Sequence, residues 1–234
     1  MSDEIVSLNL KCWIIMKAGL FISVEGAEGV GKTTSLAYIH QLLEDAGISY
    51  TSTREPGGTQ LGEKIRDILL DKKNTQMTDM TELLLMFAAR AQHVEEVIKP
   101  ALKQGAWVVC DRFTDSSFAY QGAARGIADE TIELINKAAL AAFSPDLTVL
   151  LDVDVEVGMQ RAGSRGELDR FEKEDLIFFE KVRQGFLTRA KVYERFNIID
   201  ASKSIIEVNS QLANVLLPTI RDWLQHSGQS TQNG

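Results

Sequence analysis

Five short apolar runs alternate with amphipathic segments along the chain between residues 17 and 225. Several of these runs are nearly continuous in apolar residues, which is typical of strands that are covered on both faces of a sheet. The pattern therefore predicts five strands, at residues 20–25, 50–54, 107–111, 147–153 and 197–200.

Helical periodicity occupies the intervals between the predicted strands. One helix is expected to begin near Asp79 and run past Arg90, with Pro100 kinking or ending it, and another to begin near Asp129. Apolar residues spaced three or four apart predict the buried faces of two more helices, Leu61, Ile65, Ile68 and Leu69 in one and Leu176, Phe179, Val182 and Phe186 in the other.

Repeated strand–helix units predict an α/β fold, in which a parallel sheet lies between two layers of helices. The chain has 234 residues, 44% of them hydrophobic, which suits one well-buried domain. We expect that domain at residues 17–225. Residues 1–16 are predicted to be an extension that the fold does not need, and residues 226–234 a disordered polar tail.

Charge and cysteine content narrow the range of partners. A formal net charge of −8 argues against a general nucleic-acid binder, although local arginines can still hold a small anion. Cys12 and Cys110 form no disulfide framework, and we expect Cys110 to be a buried thiol in a cytoplasmic protein. The apolar segment 8–16 is too short to cross a bilayer, so no membrane partner is predicted.

A glycine-rich segment that follows the first predicted strand matches the P-loop pattern G-x-x-x-x-G-K-[ST] and precedes a helical pattern, the context that this motif requires. Glycines allow backbone N–H groups to approach phosphate oxygens, Lys32 can reach the β- and γ-phosphates, and Thr33 can bind Mg²⁺. The alternative is a plain glycine-rich turn. The predicted ATP-binding residues here are Gly26, Ala27, Glu28, Gly29, Val30, Gly31, Lys32, Thr33 and Thr34.

Asp111 ends the third predicted strand, where P-loop enzymes place an acidic residue on the Mg²⁺ side of the nucleotide. The alternative is an aspartate that caps a turn. Thr33 and Asp111 are therefore the predicted metal ligands. The P-loop does not identify the phosphate acceptor, but the sequence has no Asn-Lys-x-Asp segment of the kind that a GTPase would carry.

Four further segments resemble the thymidylate kinase family, in the order in which that family has them. They are Arg54-Glu55-Pro56-Gly57-Gly58-Thr59, Asp111-Arg112-Phe113, Ser116-Ser117-Phe118-Ala119-Tyr120-Gln121-Gly122 and Arg165-Gly166-Glu167-Leu168-Asp169-Arg170. The resemblance implies a P-loop sheet of strand order 2-3-1-4-5 with a short lid at about residues 161–172. It also implies transfer of the ATP γ-phosphate to thymidine monophosphate (dTMP), Mg²⁺ as cofactor, and a homodimer.

The resemblance also implies how the acceptor is bound. Guanidinium groups pair bidentately with phosphate, which suits the two arginines expected at the 5′-phosphate. The roles carried over are Arg66 and Arg112 for the 5′-phosphate, Arg90 for the thymine carbonyl, Ser117 and Gln121 for the base edge, Tyr120 for the deoxyribose and Glu28 for the 3′-hydroxyl. Solvated arginines and a core tyrosine are the alternatives for Arg66 and Tyr120.

The sequence departs from the family at the residue that covers the base. The family usually has a phenylalanine four residues before the arginine of the base pocket, whereas this chain has Met86 there and Phe87 three residues before Arg90. Either side chain lies on the same helix face as Arg90, so both remain candidates to cover the base. The alternative is that Met86 and Phe87 are core residues without a role in binding.

The lid is expected to supply a catalytic cation. Some relatives have an arginine in the P-loop where this chain has Gly29, so the resemblance assigns the cation to Arg165, together with Lys32 and Arg112 as catalytic residues. Arg161 is expected near the adenine, and Arg170 to pair with phosphate or with an acid. The rival functions are another nucleotide or nucleoside kinase and a nucleotide-gated regulatory protein.

Overall fold

The structure, a computed structural model, describes residues 19–141, 143–162, 170–171 and 174–228. Its sheet has five parallel strands in the order β2-β3-β1-β4-β5. This order confirms the predicted P-loop architecture. The strands are β1 Phe21–Glu25, β2 Tyr50–Arg54, β3 Trp107–Asp111, β4 Leu147–Asp152 and β5 Phe196–Asp200, each within one or two residues of its predicted bounds.

Helices connect the strands, and two of them continue directly into π-helical turns. The helices are α1 Lys32–Asp45, α2 Gln60–Leu70, α3 Asp79–His93, α4 Lys99–Lys103, α5 Thr114–Ser117, α6 Asp129–Leu140, α7 Val155–Ala162, α8 Leu176–Val192 and α9 Ile205–Gly228. The π-helical segment Val94–Ile98 joins α3 to α4, and Phe118–Ala124 follows α5. Among the described residues, no helix is both long enough and apolar enough to cross a membrane.

The sheet separates two hydrophobic clusters, because successive strand residues point to opposite faces. Ile22 packs with residues of α1 and α9, whereas Phe21 packs with residues of α3 and α6. Helices therefore cover both faces, which confirms the three-layer arrangement. Cys110 is buried in the second cluster as a free thiol, as predicted.

Several predictions about the helices need correction. Of the two alternatives for Pro100, the end of the helix is wrong, because the chain stays helical through Pro100 in the first turn of α4 and α4 ends only at Lys103. Leu61 and Ile68 are 50% and 47% exposed, because Gly62, Ile65 and Leu69 form the buried side of α2. The apolar stripe of α2 is wider than its buried face.

The other corrections concern the ends of α8 and α9. Leu176 is 48% exposed in the first turn of α8, where Phe178 is buried together with the predicted Phe179, Val182 and Phe186. The backbone of α9 continues to Gly228, so the start of the predicted disordered tail is helical. Residues 1–16, 229–234 and most of the predicted lid lie outside the described residues.

Candidate active site

A cavity of about 250 Å³ opens at the carboxyl edge of the sheet. Strands β1 and β3 are neighbours in parallel register, with Val24 opposite Asp111, so the segments that follow them meet at this edge. The cavity is lined by Glu28, Gly29, Val30, Gly31, Lys32, Thr33, Arg54, Glu55, Pro56, Arg66, Leu70, Met86, Arg90, Asp111, Arg112, Ser116, Ser117, Tyr120, Gln121 and Phe171.

The glycine-rich loop between β1 and α1 forms one wall of this cavity. Gly29 and Gly31 have φ values of 70° and 91°, which glycine adopts without steric cost. A Cβ atom on Gly29 would also lie 1.8 Å from the carbonyl oxygen of Gly158 in α7. The close approach of α7 therefore leaves no room for a side chain at the position where some family members have arginine.

Only some of the predicted ATP-binding residues line the cavity. Lys32 begins α1 and donates from Nζ to the carbonyl oxygens of Gly26 (3.3 Å) and Ala27 (2.9 Å), which holds it against the loop. Glu28 to Thr33 line the cavity. Gly26 and Ala27 lie outside the lining set, and Thr34 is exposed on α1.

Asp111 presents an unpaired carboxylate oxygen in the cavity. Its Oδ1 atom is buried and has no hydrogen-bond partner among the described residues, an arrangement that is costly unless a cation or water binds there. Thr33 supplies a hydroxyl to the same cavity. Oxygen ligands from few side chains suit Mg²⁺, which obtains its other ligands from water and phosphates. The residues present therefore fit the predicted metal.

Arg112, Glu28 and Tyr120, which all line the cavity, form a linked group beside the glycine-rich loop. Arg112, with φ of 69°, donates from Nη2 to Glu28 Oε1 (2.6 Å) and from Nη1 to Gly26 O (2.9 Å). Its guanidinium carbon lies 5.0 Å from the centre of the Tyr120 ring, and the Tyr120 hydroxyl donates to Glu28 Oε1 (3.2 Å). Tyr120 is also part of a core cluster.

The charges of this group keep Glu28 ionised. Burial acts to raise the pKa of Glu28, but the neighbouring charges of Arg112 and Lys32 outweigh it and lower the pKa to about 2. Arg66 adds another guanidinium to the cavity and donates from Nη1 to Pro56 O (2.8 Å). The cavity thus combines several fixed cations with an ionised acceptor, which suits phosphate groups and a hydroxyl.

Arg90 lines the cavity and is 3% exposed. Its Nε donates to Glu55 Oε2 (2.5 Å), Nη1 to Ser117 Oγ (3.0 Å) and Nη2 to Phe113 O (3.1 Å). Gln121, which also lines the cavity, donates from Nε2 to Glu82 Oε1 (2.8 Å). The predicted base-contacting side chains are therefore together, and protein partners hold them in place.

The two candidates for the base cover occupy different places. Met86 lines the cavity, whereas Phe87 is 2% exposed and packs in the core with Phe21, Phe113 and Ile132. Phe87 is not a lining residue, and its ring lies under the guanidinium of Arg90, with the guanidinium carbon 4.7 Å from the ring centre. Met86 remains the candidate.

Comparison with known proteins agrees with this geometry. The family model described as thymidylate kinase matches residues 24–212. The chain is 50% identical over 202 residues to a thymidylate kinase of Hahella chejuensis (strain KCTC 2396), which covers 86% of this chain and 97% of that protein. It is 51% identical over 203 residues to a thymidylate kinase of Pseudomonas fluorescens (strain SBW25), covering 86% and 96%. The chain belongs to the thymidylate kinase family.

The lid that the family resemblance implies is described only at its two ends. Arg165 lies outside the described residues. Arg161 donates from Nη1 to Ala201 O (3.0 Å) and is not a lining residue. Arg170 donates to Leu69 O (2.8 Å) and to Glu82 Oε2 (2.5 Å), so an acid is its partner here.

Several buried carboxylates were missed by the sequence reasoning, among them Glu25, Glu55 and Glu82. Glu25 accepts from Phe113 N (2.7 Å) and Ser116 Oγ (2.6 Å), which anchors the segment around Arg112. Burial and the nearby charge of Asp115 raise the pKa of Glu25 to about 8. Its place at the end of an apolar strand, like that of Asp111, was a signal that could have found it.

Proposed function

We propose that this chain transfers the γ-phosphate of ATP to dTMP, giving ADP and dTDP for dTTP synthesis. One observation carries the proposal: the P-loop with Lys32 and the arginines Arg66 and Arg112 line a single cavity. Two phosphate-binding groups of this kind in one cavity suit a donor and an acceptor that both carry phosphates. The family membership of the chain supports the same reaction.

The acceptor is proposed to lie between the arginines and α3. Arg66 and Arg112 would bind its 5′-phosphate, and the ionised Glu28 would accept a hydrogen bond from the 3′-hydroxyl. Arg90, Ser117 and Gln121 would contact the base edge, Met86 would cover the base, and Tyr120 would pack against the deoxyribose. Support comes from their common placement in the cavity.

The donor is proposed to bind along the P-loop. Backbone N–H groups of residues 26–33, Lys32 and the start of α1 would hold the phosphates. Thr34 and Arg161 are also proposed to contact ATP, although neither of them lines the cavity. Thr33 and Asp111 would hold Mg²⁺, which would neutralise charge on the phosphates. The buried, unpaired Oδ1 of Asp111 supports this assignment.

Catalysis is proposed to depend on alignment and charge neutralisation. The acceptor phosphate oxygen is already an anion near neutral pH, so no general base has to remove a proton from it. Lys32 and Arg112 would offset the repulsion between the two substrates, and Arg165 of the lid would contact the transferring phosphoryl group. Closure of the lid over ATP would exclude water.

We also propose that the chain is a cytoplasmic homodimer. Exposed apolar side chains occur on three helices that pack in the order α2, α3, α6. They are Leu61, Ile68, Met80, Leu84 and Leu134, each at least 41% exposed. Such a group on adjacent helices suits burial against a second copy. The buried free thiol of Cys110 suits a reducing compartment.

An ADP-release assay across the nucleoside monophosphates tests the reaction. We expect the highest kcat/KM with dTMP, a modest loss with dUMP and much larger losses with the purine nucleotides. A methyl group in an apolar pocket contributes about 1–3 kcal/mol, or roughly 10–200-fold. ADP release that ignores the monophosphate would instead indicate a nucleotide-gated regulator, and a preference for nucleosides would indicate a nucleoside kinase.

A further inference from the structure

We infer that His93 is a positioning residue that sets substrate specificity through Glu55 and Arg90. His93 lies at the end of α3 and is fully buried. It does not line the cavity, and none of the roles proposed above involves it. The inference rests on the proposed function, because it takes Arg90 as the group that contacts the thymine carbonyl.

A chain of hydrogen bonds connects β2 to the cavity through His93. The Thr53 hydroxyl oxygen lies 2.7 Å from His93 Nε2, and His93 Nδ1 lies 3.0 Å from Glu55 Oε1. The other oxygen of the same carboxylate, Oε2, accepts from Arg90 Nε at 2.5 Å. Glu55 is 4% exposed, so neither of its oxygens has much access to water that could replace these partners.

The chemistry of the groups fixes the direction of these bonds. The Glu55 carboxylate that pairs with Arg90 can only accept, so the hydrogen on His93 Nδ1 must point toward it. In the neutral ring, Nε2 then accepts from the Thr53 hydroxyl. The two contacts thus hold one tautomer and one ring orientation of His93. The oriented ring in turn holds the plane of the Glu55 carboxylate.

The Glu55 carboxylate is one of the groups that orient the Arg90 guanidinium. Ser117 Oγ and Phe113 O accept from its terminal nitrogens, and Glu55 is the charged acceptor that fixes the position of Nε. A guanidinium presents its donors in a rigid plane, so a small rotation moves all of them together. His93 therefore acts on the base pocket without touching the substrate.

The loop after β2 packs directly on the Thr53–His93 contact. A Cβ atom on Gly58 would lie 2.5 Å from His93 Nε2 and 2.7 Å from Thr53 Oγ1, so only glycine fits there. Pro56 in the same loop accepts from Arg66 through its carbonyl oxygen. The loop after β2 therefore contacts both Arg66, which is proposed to bind the 5′-phosphate, and His93, which orients Arg90 toward the base.

The deciding experiment compares His93→Leu, His93→Asn, Thr53→Val and Thr53→Ser with the full-length wild type. Leucine removes both hydrogen bonds at similar volume, whereas asparagine retains an amide donor near the position of Nδ1. Valine removes only the Thr53 hydroxyl, and serine keeps it. His40→Leu, at a histidine that stacks on Tyr50 away from the cavity, is the matched control.

The readouts are the Kd for dTMP, the KM for ATP and the ratio of kcat/KM for dTMP to that for dCMP, whose base has an amino group in place of one carbonyl. We expect His93→Leu to raise the Kd for dTMP and lower the ratio by roughly tenfold, the scale of one weakened hydrogen bond to a charged group. The KM for ATP should stay within about twofold. Asparagine at residue 93 and serine at residue 53 should recover part of the loss, and Thr53→Val should show a smaller loss of the same kind.

Two results would overturn the inference. One is a folded His93→Leu, judged by its circular dichroism and Tm, with unchanged dTMP affinity and unchanged ratio. The other is an equal loss for ATP and dTMP with no recovery by asparagine, which would make His93 merely structural. If His93→Leu does not fold, an unchanged ratio in Thr53→Val overturns the inference equally. Failure of the proposed function is distinct, because wild type itself would then show no preference for dTMP.

Discussion

At the scale of single residues, three of the arginines that line the cavity each donate a hydrogen bond to an oxygen atom of the protein. Arg66 donates to the Pro56 carbonyl, Arg90 to the Glu55 carboxylate and Arg112 to the Glu28 carboxylate. An arginine that is already held loses little side-chain entropy when phosphate or a base binds. The carboxylates that hold Arg90 and Arg112 would therefore favour substrate binding through these arginines.

Replacement of Lys32 tests the donor half of the site at this scale. Lys32→Ala removes a charged hydrogen bond from the γ-phosphate, so we expect kcat to fall by about 10²–10³, the loss typical of one electrostatic donor in a water-excluded site. Steady-state kinetics at saturating dTMP is the measurement. Lys181→Ala, an exposed lysine on α8, is the control and should retain wild-type kcat. A wild-type kcat for Lys32→Ala would contradict the P-loop assignment.

Tyr120 is predicted to exclude ribonucleotides. Its ring packs on Arg112 and against Phe171, so it has little freedom to move away from a 2′-hydroxyl. Tyr120→Ala should lower the preference for dTMP over its ribose counterpart, measured as a ratio of kcat/KM values. Tyr120→Phe is the matched variant, since it removes only the hydroxyl that donates to Glu28 and should keep the preference. An unchanged ratio in the alanine variant would assign Tyr120 to the core alone.

Glu25 predicts a pH dependence of stability. Its pKa is raised from 4.5 to about 8 by burial and by Asp115, so between these values the folded state binds more protons than the unfolded state. The free energy of unfolding then falls as pH rises, by up to about 1.4 kcal/mol per pH unit. Glu25→Gln mimics the protonated form and lacks this dependence.

The difference in Tm between Glu25→Gln and wild type measures this effect. We expect the advantage of the glutamine variant to grow between pH 5 and pH 8 and to level off above pH 8. Other titrating groups are shared by the two proteins and cancel in the difference. A difference that stays constant over this range would mean that Glu25 is ionised in the folded protein.

At the scale of elements, the strands and the P-loop were predictable because their signals are local. Continuous apolar runs end at the edge where the sheet binds ligands, and the glycine pattern lies between a strand and a helix. The π-helical segments Val94–Ile98 and Phe118–Ala124 were not predictable, since their hydrogen bonding differs from an α-helix without a change in composition.

Side-chain partners in the site depended on contacts between distant residues. Phe87 and Met86 are adjacent in sequence, and only the packing of α3 on the sheet decides which of them meets the cavity. Glu55 and His93 are 38 residues apart and become partners through the fold. The family resemblance supplied the residues that we propose contact the substrate, but it did not supply the residues that hold them.

At the scale of elements, the testable prediction concerns Arg165 in the lid. Arg165→Ala should lower kcat by about 10³ while the KM for ATP changes far less, because the cation is needed most when the bond to ADP breaks. Arg161 and Arg170 donate to Ala201 and Glu82, which makes them poor substitutes. Arg165→Lys should recover little, since an ammonium cannot bridge two phosphate oxygens. A raised KM with kcat within about twofold of wild type would limit Arg165 to holding ATP.

At the scale of the whole molecule, the sheet separates two helical layers, and both of them contribute residues to the cavity. Trp107, Ile39 and Leu216 belong to the cluster on the side of α1 and α9. In the other layer, α3 carries the cavity residues Met86 and Arg90, and α3 and α6 also carry exposed apolar residues. If two copies made contact through α2, α3 and α6, the interface would include α3, the helix that carries Met86, Arg90 and His93.

Leu84 is the residue at which this dimer is best tested, because it is 50% exposed near the middle of α3. Wild type should have twice the 26.0 kDa mass of the chain by light scattering at micromolar concentration. Leu84→Glu would bury an unpaired charge in an apolar contact, at a cost of several kcal/mol, and should yield a monomer. Leu224→Glu, on α9 and 41% exposed, is the matched control and should stay dimeric.

If α3 depends on the partner copy for its position, the monomeric variant should also bind dTMP more weakly, with the KM for ATP less affected. A wild-type protein that is monomeric at these concentrations would contradict the dimer, and a dimeric Leu84→Glu would place the interface elsewhere.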